Sequence, residues 1–405
     1  STSNERLMRL SYIARRNRSA KPLQTALSAI LLAFGVGMVS LMMLAEKQMT
    51  EQFERNIKDI DLVLGAKGSP LQLILANVYH IDAPTGNISL AEAEKVMRNP
   101  YIESGIPLAY GDNYMSYRIV GTNKSYPDHY GAKIEEGVFW SKAFEVTVGA
   151  TVAKKTGLEV GSTFFSAHGL TDGTDVHDDK TFTVVGILEK SNSVIDQLLL
   201  TSVESIWGVH AEHDEELLSP EELYASREIT ALLLKKRNPM AILTLPNLLR
   251  ETNMQVALPA IEINRLNQQF GIGAATLRAI ALLIMAISFA SIFISVFDNM
   301  QARRYELALM RTMGGTPGTL YKLLLLEGGL LSLGGTILGL LVSRIGLFIL
   351  ASAVEDKFQY DLGNLGLLTS EIYLALGATF VGLLAAALPA FKTLRLDIAK
   401  TLSNE

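Results

Sequence analysis

Two clusters of side chains have the chemistry of a metal site. One is His168-Gly-Leu-Thr-Asp172-Gly-Thr-Asp175-Val-His177-Asp178-Asp179, and the other is His210-Ala-Glu-His213-Asp-Glu-Glu216. Imidazole combined with carboxylate suits zinc and similar divalent ions. His210 and His213, three apart, would share one face of a helix. The competing reading is a solvated loop, since Asp, Gly and Thr are turn formers in their own right. His168, His177, His210 and His213 are therefore candidate ligands beside an ordinary surface explanation. All six histidines lie between residues 46 and 278.

A third group, Arg304, Glu306 and Arg311, lies in Arg304-Tyr305-Glu306-Leu307-Ala308-Leu309-Met310-Arg311-Thr312-Met313-Gly314-Gly315-Thr316-Pro317. This run has helical periodicity up to Met313. Gly314-Gly315 stops the helix, and Thr316 caps a new one with Pro317 at its first position. Glu306 and Arg311 are then available for polar contacts. Other chemistry is excluded. There is no cysteine, hence no disulfide, thiolate zinc site or cysteine nucleophile. No Ser/His/Asp constellation, metalloprotease motif or Gly-x-x-x-x-Gly-Lys-Ser/Thr phosphate loop occurs. The expectation is a chain that is not an enzyme and carries no cofactor of its own.

The elements that hold these residues are set by hydropathy. Hydrophobic residues make up 49% of the 405, charged residues only 19%, and apolar surface must therefore be hidden in lipid. A bilayer core about 30 Å thick takes about 20 apolar residues in a helix. Four segments qualify: 22–45, 279–297, 323–354 and 372–391. The third is interrupted by Glu327 and Arg344, which are read as charges that snorkel or pair at the ends of the span. The first is too long for a signal peptide and lacks a small-residue cleavage site, so it is expected to stay as an anchor.

Positive charge orients the spans. Segment 1–21 carries six Lys/Arg and loop 298–322 carries four, whereas loop 355–371 has Lys357 against four acids. Both termini, with the tail 392–405, are expected in the cytoplasm, and 355–371 outside. The N-terminal 1–21 segment reads as an interfacial amphipathic helix, with a disordered basic tail as the alternative. The region 46–278 is looped out between the first two spans and has 21 Lys/Arg against 31 Asp/Glu, a net of −10. Its strand-like runs are 59–64, 116–121, 144–148 and 181–188, and helix signals follow Ser89, Ser219 and Asn238. This predicts an α+β domain in two lobes, with 165–182 as a surface loop. Helical segments 46–55 and 261–275 are expected to continue the first two spans outward as a stalk.

The loop 304–317 resembles that of the FtsX-like permeases of ABC transporters, the MacB-type or type VII group. Arg304, Glu306, Ala308, Arg311 and Gly314 match the family's loop, with Gly315 beside them, and Glu327 matches a glutamate at the start of its third span. One span, a large domain and three further spans is also the family's order. Gly137-Val-Phe-Trp140, the stretch 148–161 and Thr183-Val-Val-Gly-Ile-Leu188 resemble the MacB-type periplasmic core. Pro389-Ala-Phe-Lys-Thr-Leu-Arg395-Leu-Asp-Ile-Ala resembles the family's ending, with Ile398 where proline is usual.

The resemblance implies a permease subunit in the bacterial inner membrane, with its large domain in the periplasm. Two ABC ATPase copies would dock on 304–317 and hold ATP and magnesium. A second permease copy or a paralogue would complete the assembly. A periplasmic adaptor or substrate-binding protein is a further implied partner, the lipid bilayer is the solvent, and nucleic acid is no partner. The implied function is mechanical coupling of ATP hydrolysis to extrusion of a periplasmic or outer-leaflet substrate. Two alternatives stay open: an FtsX-like signalling subunit acting on a periplasmic partner, and a zinc-linked transport system. Gly335 and Gly339 form a Gly-x-x-x-Gly pair that suits close helix packing, within one protomer or between two.

Overall fold

The computed structural model describes residues 22–167, 176–209, 219–302, 308–310, 312–314, 316–358 and 366–392. The chain forms two compact units, one of residues 50–269 and one of 1–49 with 270–405.

The 50–269 unit is built on a mixed sheet. In chain order its strands are β1 (Leu62–Ala66), β3 (Ile102–Tyr114), β4 (Tyr117–Thr122), β5 (Ile134–Gly137), β6 (Glu145–Val148), β7 (Thr163–Ala167), β8 (Val176–Leu188), β9 (Leu199–Ser202), β11 (Ala231–Lys236) and β12 (Met254–Ala257). A separate two-stranded ribbon pairs β2 (Ile88–Ser89) with β10 (Glu228–Ile229). The main order is β12-β1-β11-β3-β4-β9-β6-β8-β5, with β7 on β3 and β8. Every residue of β1 and of β4 is buried, as expected for strands covered on both faces.

Short helices α2 (Pro70–Asn77), α3 (Leu90–Met97), α4 (Ser125–His129), α5 (Ala150–Thr156), α6 (Val203–Val209), α7 (Pro220–Ser226) and α8 (Met240–Leu248) connect the strands. Their ends follow local chemistry. The Ser69 side chain accepts from Gln72 N at the start of α2, and Ser219 with Glu222 closes a capping box on α7. Gly157 ends α5 at φ 72°, a conformation that a Cβ disfavours.

Two expectations are corrected. The two lobes share one strand: β3 pairs with β11 from Ile102 to Leu108, then with β4 from Ala109 to Tyr114. A 13-residue strand is long enough to belong to both halves, so the sheet is continuous. Within 165–182, residues 165–167 end β7 and 176–182 begin β8, antiparallel strands with Phe164 opposite Phe182, while 168–175 lie outside the described residues. Buried Phe164 and Phe182 stack with ring centroids 5.6 Å apart, and this apolar burial draws both ends of the stretch into the sheet.

The other unit contains helices long and apolar enough to cross a membrane. They are α1 (Pro22–Ile57), α9 (Pro259–Ala302), α10 (Pro317–Phe358) and α11 (Thr369–Lys392). Each is longer than the apolar segment that marks it, because polar turns extend the same helix. Within this unit Leu32, Val36 and Val39 of α1 pack with Ala281, Met285 and Ile292 of α9, Leu324 and Leu331 of α10, and Ala378 and Ala386 of α11. The outward faces are apolar too, with Leu282, Phe348, Phe380 and Leu388 more than half exposed. In water such a surface would be untenable; in a bilayer, lipid solvates it.

Candidate functional site

Between α9 and α10 the described residues are 308–310, 312–314 and 316. Ala308 to Met310 and Thr312 are helical, and Ala308 is buried. Met313 N donates to Leu309 O at 3.1 Å, and Gly314 follows at φ 94° with open space where a Cβ would project. Glycine is favoured at this left-handed φ, which ends a helix. Thr316 Oγ1 then accepts from Thr319 N at 3.3 Å, which caps α10. Met313 is 81% exposed and Leu309 46%, an apolar pair one turn apart. Arg304, Glu306, Arg311 and Gly315 lie outside the described residues.

Within the spans, three helices converge on one ion pair. Arg344 Nη1 of α10 lies 2.6 Å from Glu371 Oε1 of α11, and Nη2 lies 2.7 Å from Oε2. Ser40 of α1 donates to Glu371 Oε1 at 2.5 Å, and its oxygen lies 2.8 Å from Ser343 Oγ. Leu368 N donates to Glu371 Oε2 at 2.8 Å, in the first turn of α11. Glu371 is wholly buried. Both of its oxygens are thus satisfied, which is the condition for tolerating a carboxylate in a low-dielectric setting. Hydropathy placed Glu371 at the edge of the 355–371 loop, and Ser40 carried no signal at all. The usable clue was that Arg344 and Glu371 are opposite charges at the edges of apolar runs.

Glu327 of α10 is buried at 8% exposure. Gly335 and Gly339 face α1: a Cβ on Gly335 would lie 2.9 Å from Leu32 Cδ2, and one on Gly339 would lie 2.8 Å from Ala33 O. These two glycines are therefore part of the packing within one protomer.

In the 50–269 unit, the C-terminal turns of α1 are clasped by several segments. Asn56 is fully buried, and its Oδ1 accepts from Val194 N at 3.2 Å. Tyr130 donates to Asn56 O at 3.2 Å and Tyr79 donates to Phe53 O at 3.3 Å. Arg55 Nη1 and Gln52 Nε2 donate to Asn192 O at 3.0 and 3.3 Å. The receiving loop is stiff, because Asp196 accepts from Ser191 N at 2.9 Å and from Asn192 N at 2.7 Å.

Behind this joint lies a buried histidine with a defined tautomer. Tyr110 donates to Ala76 O at 2.6 Å, so its oxygen accepts from His80 Nδ1, 2.7 Å away. His80 Nε2 must then accept from Tyr126, at 2.7 Å. Burial, and next the Arg118 charge, hold the His80 imidazole well below its usual pKa, which keeps it neutral. Burial likewise pushes the Tyr110 and Tyr130 phenols upward. Neither Asn56 nor His80 stands out in the sequence; each is identified only by what surrounds it.

Of the metal candidates, His177 is on β8, and His168, His210 and His213 lie outside the described residues. No group of three His, Cys, Asp or Glu that could hold a metal ion occurs among the described residues.

Four apolar helices with an α+β domain inserted after the first define a class: multi-span membrane proteins with one large extracytoplasmic domain. Residues 25–229 match the MacB-like periplasmic core domain, and residues 278–398 match the FtsX-like permease C-terminal domain. The chain belongs to the MacB/FtsX-like (type VII) family of ABC transporter permeases. Among solved structures it is similar to the periplasmic region of MacB from Actinobacillus actinomycetemcomitans, at 13% identity and TM-score 0.35, over 52% of this chain and 96% of that one. It is also similar to the extracellular domain of the noncanonic ABC-type transporter YknZ from Gram-positive bacteria, at 11% identity and TM-score 0.30, over 48% of this chain and 98% of that one. No curated sequence relative matches.

Proposed function

We propose that this chain is a transporter's membrane subunit that converts ATP hydrolysis on a partner into movement of its 50–269 domain. Family membership supplies the class. The observation that carries the coupling is continuity: α1 and α9 are single helices that each contribute residues to both compact units. A backbone-hydrogen-bonded helix is stiff along its axis, so a push at one end is felt at the other. The clasp of Gln52, Arg55 and Asn56 on the 191–196 loop is where that push would enter the domain.

In this reading the 304–317 loop docks on two ABC ATPases that bind ATP and magnesium. Exposed Leu309 and Met313 give it an apolar contact surface, and the same segment of the sequence supplies Arg304, Glu306 and Arg311. Two permeases, identical or paralogous, complete the assembly in a bacterial inner membrane. Both termini face the cytoplasm, and the large domain faces the periplasm with any adaptor it uses. The work done is extrusion of a periplasmic or outer-leaflet substrate. The match to a MacB-like core over half the chain supports transport over a purely signalling role.

The test is the double substitution Glu306→Ala with Arg311→Ala in the chain co-purified with its ATPase. The expected result is loss of ATPase capture or of permease-dependent ATP hydrolysis. Unchanged assembly and unchanged hydrolysis would refute the docking role.

A further inference from the structure

A cleft of about 380 Å³ opens in the 50–269 unit, between the ends of β4 and β9, the start of α6 and the 138–141 segment. Its apolar wall includes Trp140, Val203, Trp207 and Ile229, and these are the protein's two tryptophans. Trp140, Val203 and Ile229 are buried. Trp207 is fixed by donation from Nε1 to Glu228 O at 2.7 Å and by the Arg227 guanidinium 4.9 Å from its ring centroid. The wall is therefore rigid before anything binds.

The polar side chains of the cleft divide into two kinds. Most are already used: Thr122 donates to Pro107 O at 2.8 Å, Ser141 bonds Glu145 Oε2 at 3.0 Å, and Ser202 lies 3.1 Å from Ser205 Oγ. Asn123 Oδ1 accepts from Ser125 N at 3.1 Å. Lys124 and Glu204 differ. They are the only charged residues lining the cleft, they are opposite in sign, and neither side chain has a hydrogen-bond or ion-pair partner among the described residues.

We propose that this cleft binds a small zwitterion with an apolar body. The ligand's carboxylate would face Lys124, its ammonium would face Glu204, and its hydrocarbon would lie against the half-buried Leu90, Pro107 and Trp207. The volume falls in the range of about 300–1,000 Å³ that small-molecule clefts occupy. One lysine opposed by one glutamate disfavours a polyanion such as a nucleotide, which needs several cations. A neutral sugar would need a free aromatic face, but Trp140 is only 3% exposed and the Arg227 guanidinium lies over the ring of Trp207. A zwitterion satisfies both unspent charges while burying apolar surface, and charge complementarity gives orientation as well as attraction.

The test uses the full chain in a non-ionic detergent, without any ATPase, and reads tryptophan fluorescence. The probes are 4-aminobutanoate, 6-aminohexanoate and 8-aminooctanoate, whose charges are separated by increasing lengths, with hexylamine and hexanoate as single-charge controls. The expected result is a saturable change for at least one zwitterion. Affinity for that probe should fall about tenfold in each control and in each of Lys124→Ala and Glu204→Ala. Both substitutions are at exposed positions, and far-ultraviolet circular dichroism would verify that the variants stay folded. No saturable change with any zwitterion up to about 100 mM overturns the proposal, as does binding that neither substitution weakens. Because no ATPase is present, failure here leaves the coupling role standing, and failure of the coupling role leaves this site standing.

Discussion

Arg344 and Glu371 form a bidentate ion pair between α10 and α11, with Nη–Oε distances of 2.6 and 2.7 Å. Ser40 ties the same carboxylate to α1. A planar guanidinium matched to a carboxylate is the strongest geometry available to this pair of side chains. It is also an obligate one, since neither charge could be left alone in hydrocarbon.

The consequence is an asymmetry between single and double substitutions. Glu371→Ala leaves the Arg344 charge without its partner and should destabilise the membrane unit by about 3–5 kcal/mol, the usual penalty for breaking a buried pair. Replacing both, as Arg344→Met with Glu371→Met, removes the pair and its desolvation penalty together and should recover most of the loss. Thermal denaturation in a fixed detergent checks this. Equal damage from the single and double variants would show that the pair has a role other than packing these helices.

Asn56→Leu should loosen the clasp at the end of α1. The change leaves Val194 N buried without its acceptor, a loss of about 1–3 kcal/mol. Hydrogen exchange should rise locally at residues 191–196, and little in α10 and α11. In the ATPase complex the same variant should keep ATP hydrolysis while losing transport. Retained transport would move the point of force transfer elsewhere.

The domain should weaken as the medium becomes acidic. The folded-state pKa of His80 is depressed, so between that value and about 6.5 the unfolded chain binds more protons than the folded one. The stability supplied by neutral His80 is complete above about pH 6.5 and is lost progressively as the pH falls below it. His129, also held low mainly by burial, contributes in the same direction. The variant His80→Asn tests His80 alone, since Asn tolerates the φ of 58° at this position. It should be less stable at neutral pH, because two tyrosines lose their partner, and its melting temperature should depend less steeply on pH. An unchanged slope would mean that His80 does not titrate during unfolding.

Two glycine positions in α10, five residues apart, should respond in opposite ways. Gly339→Val places a Cβ 2.8 Å from Ala33 O, a backbone atom that cannot rotate away, and should cost about 1–3 kcal/mol by overpacking. Gly334→Ala meets nothing within 4 Å and gains helix propensity of about 1 kcal/mol. Melting curves of the two variants decide this. A strongly destabilised Gly334→Ala would reveal a second copy packed on that face.

The number of spans, the position of the inserted domain and its α+β class are legible in the sequence alone. Those features depend on hydrophobic runs and on local signals such as Ser219 with Glu222, which act over a few residues and are visible in one dimension. The family likewise followed from the loop 304–317 and from the core stretches 148–161 and 183–188. What tertiary structure decided were relations between distant residues. Ser40, Arg344 and Glu371 are more than 300 positions apart at their extremes, and only helix packing brings them to one point. Asn56 is an ordinary amide until Val194 donates to it. Lys124 and Glu204 are ordinary surface charges until the sheet sets them on one cleft. The 165–182 stretch shows the same division in reverse. Its composition favours a loop throughout, but the pairing of Phe164 with Phe182 draws 165–167 and 176–182 into strands, because burial against the core outweighs local preference.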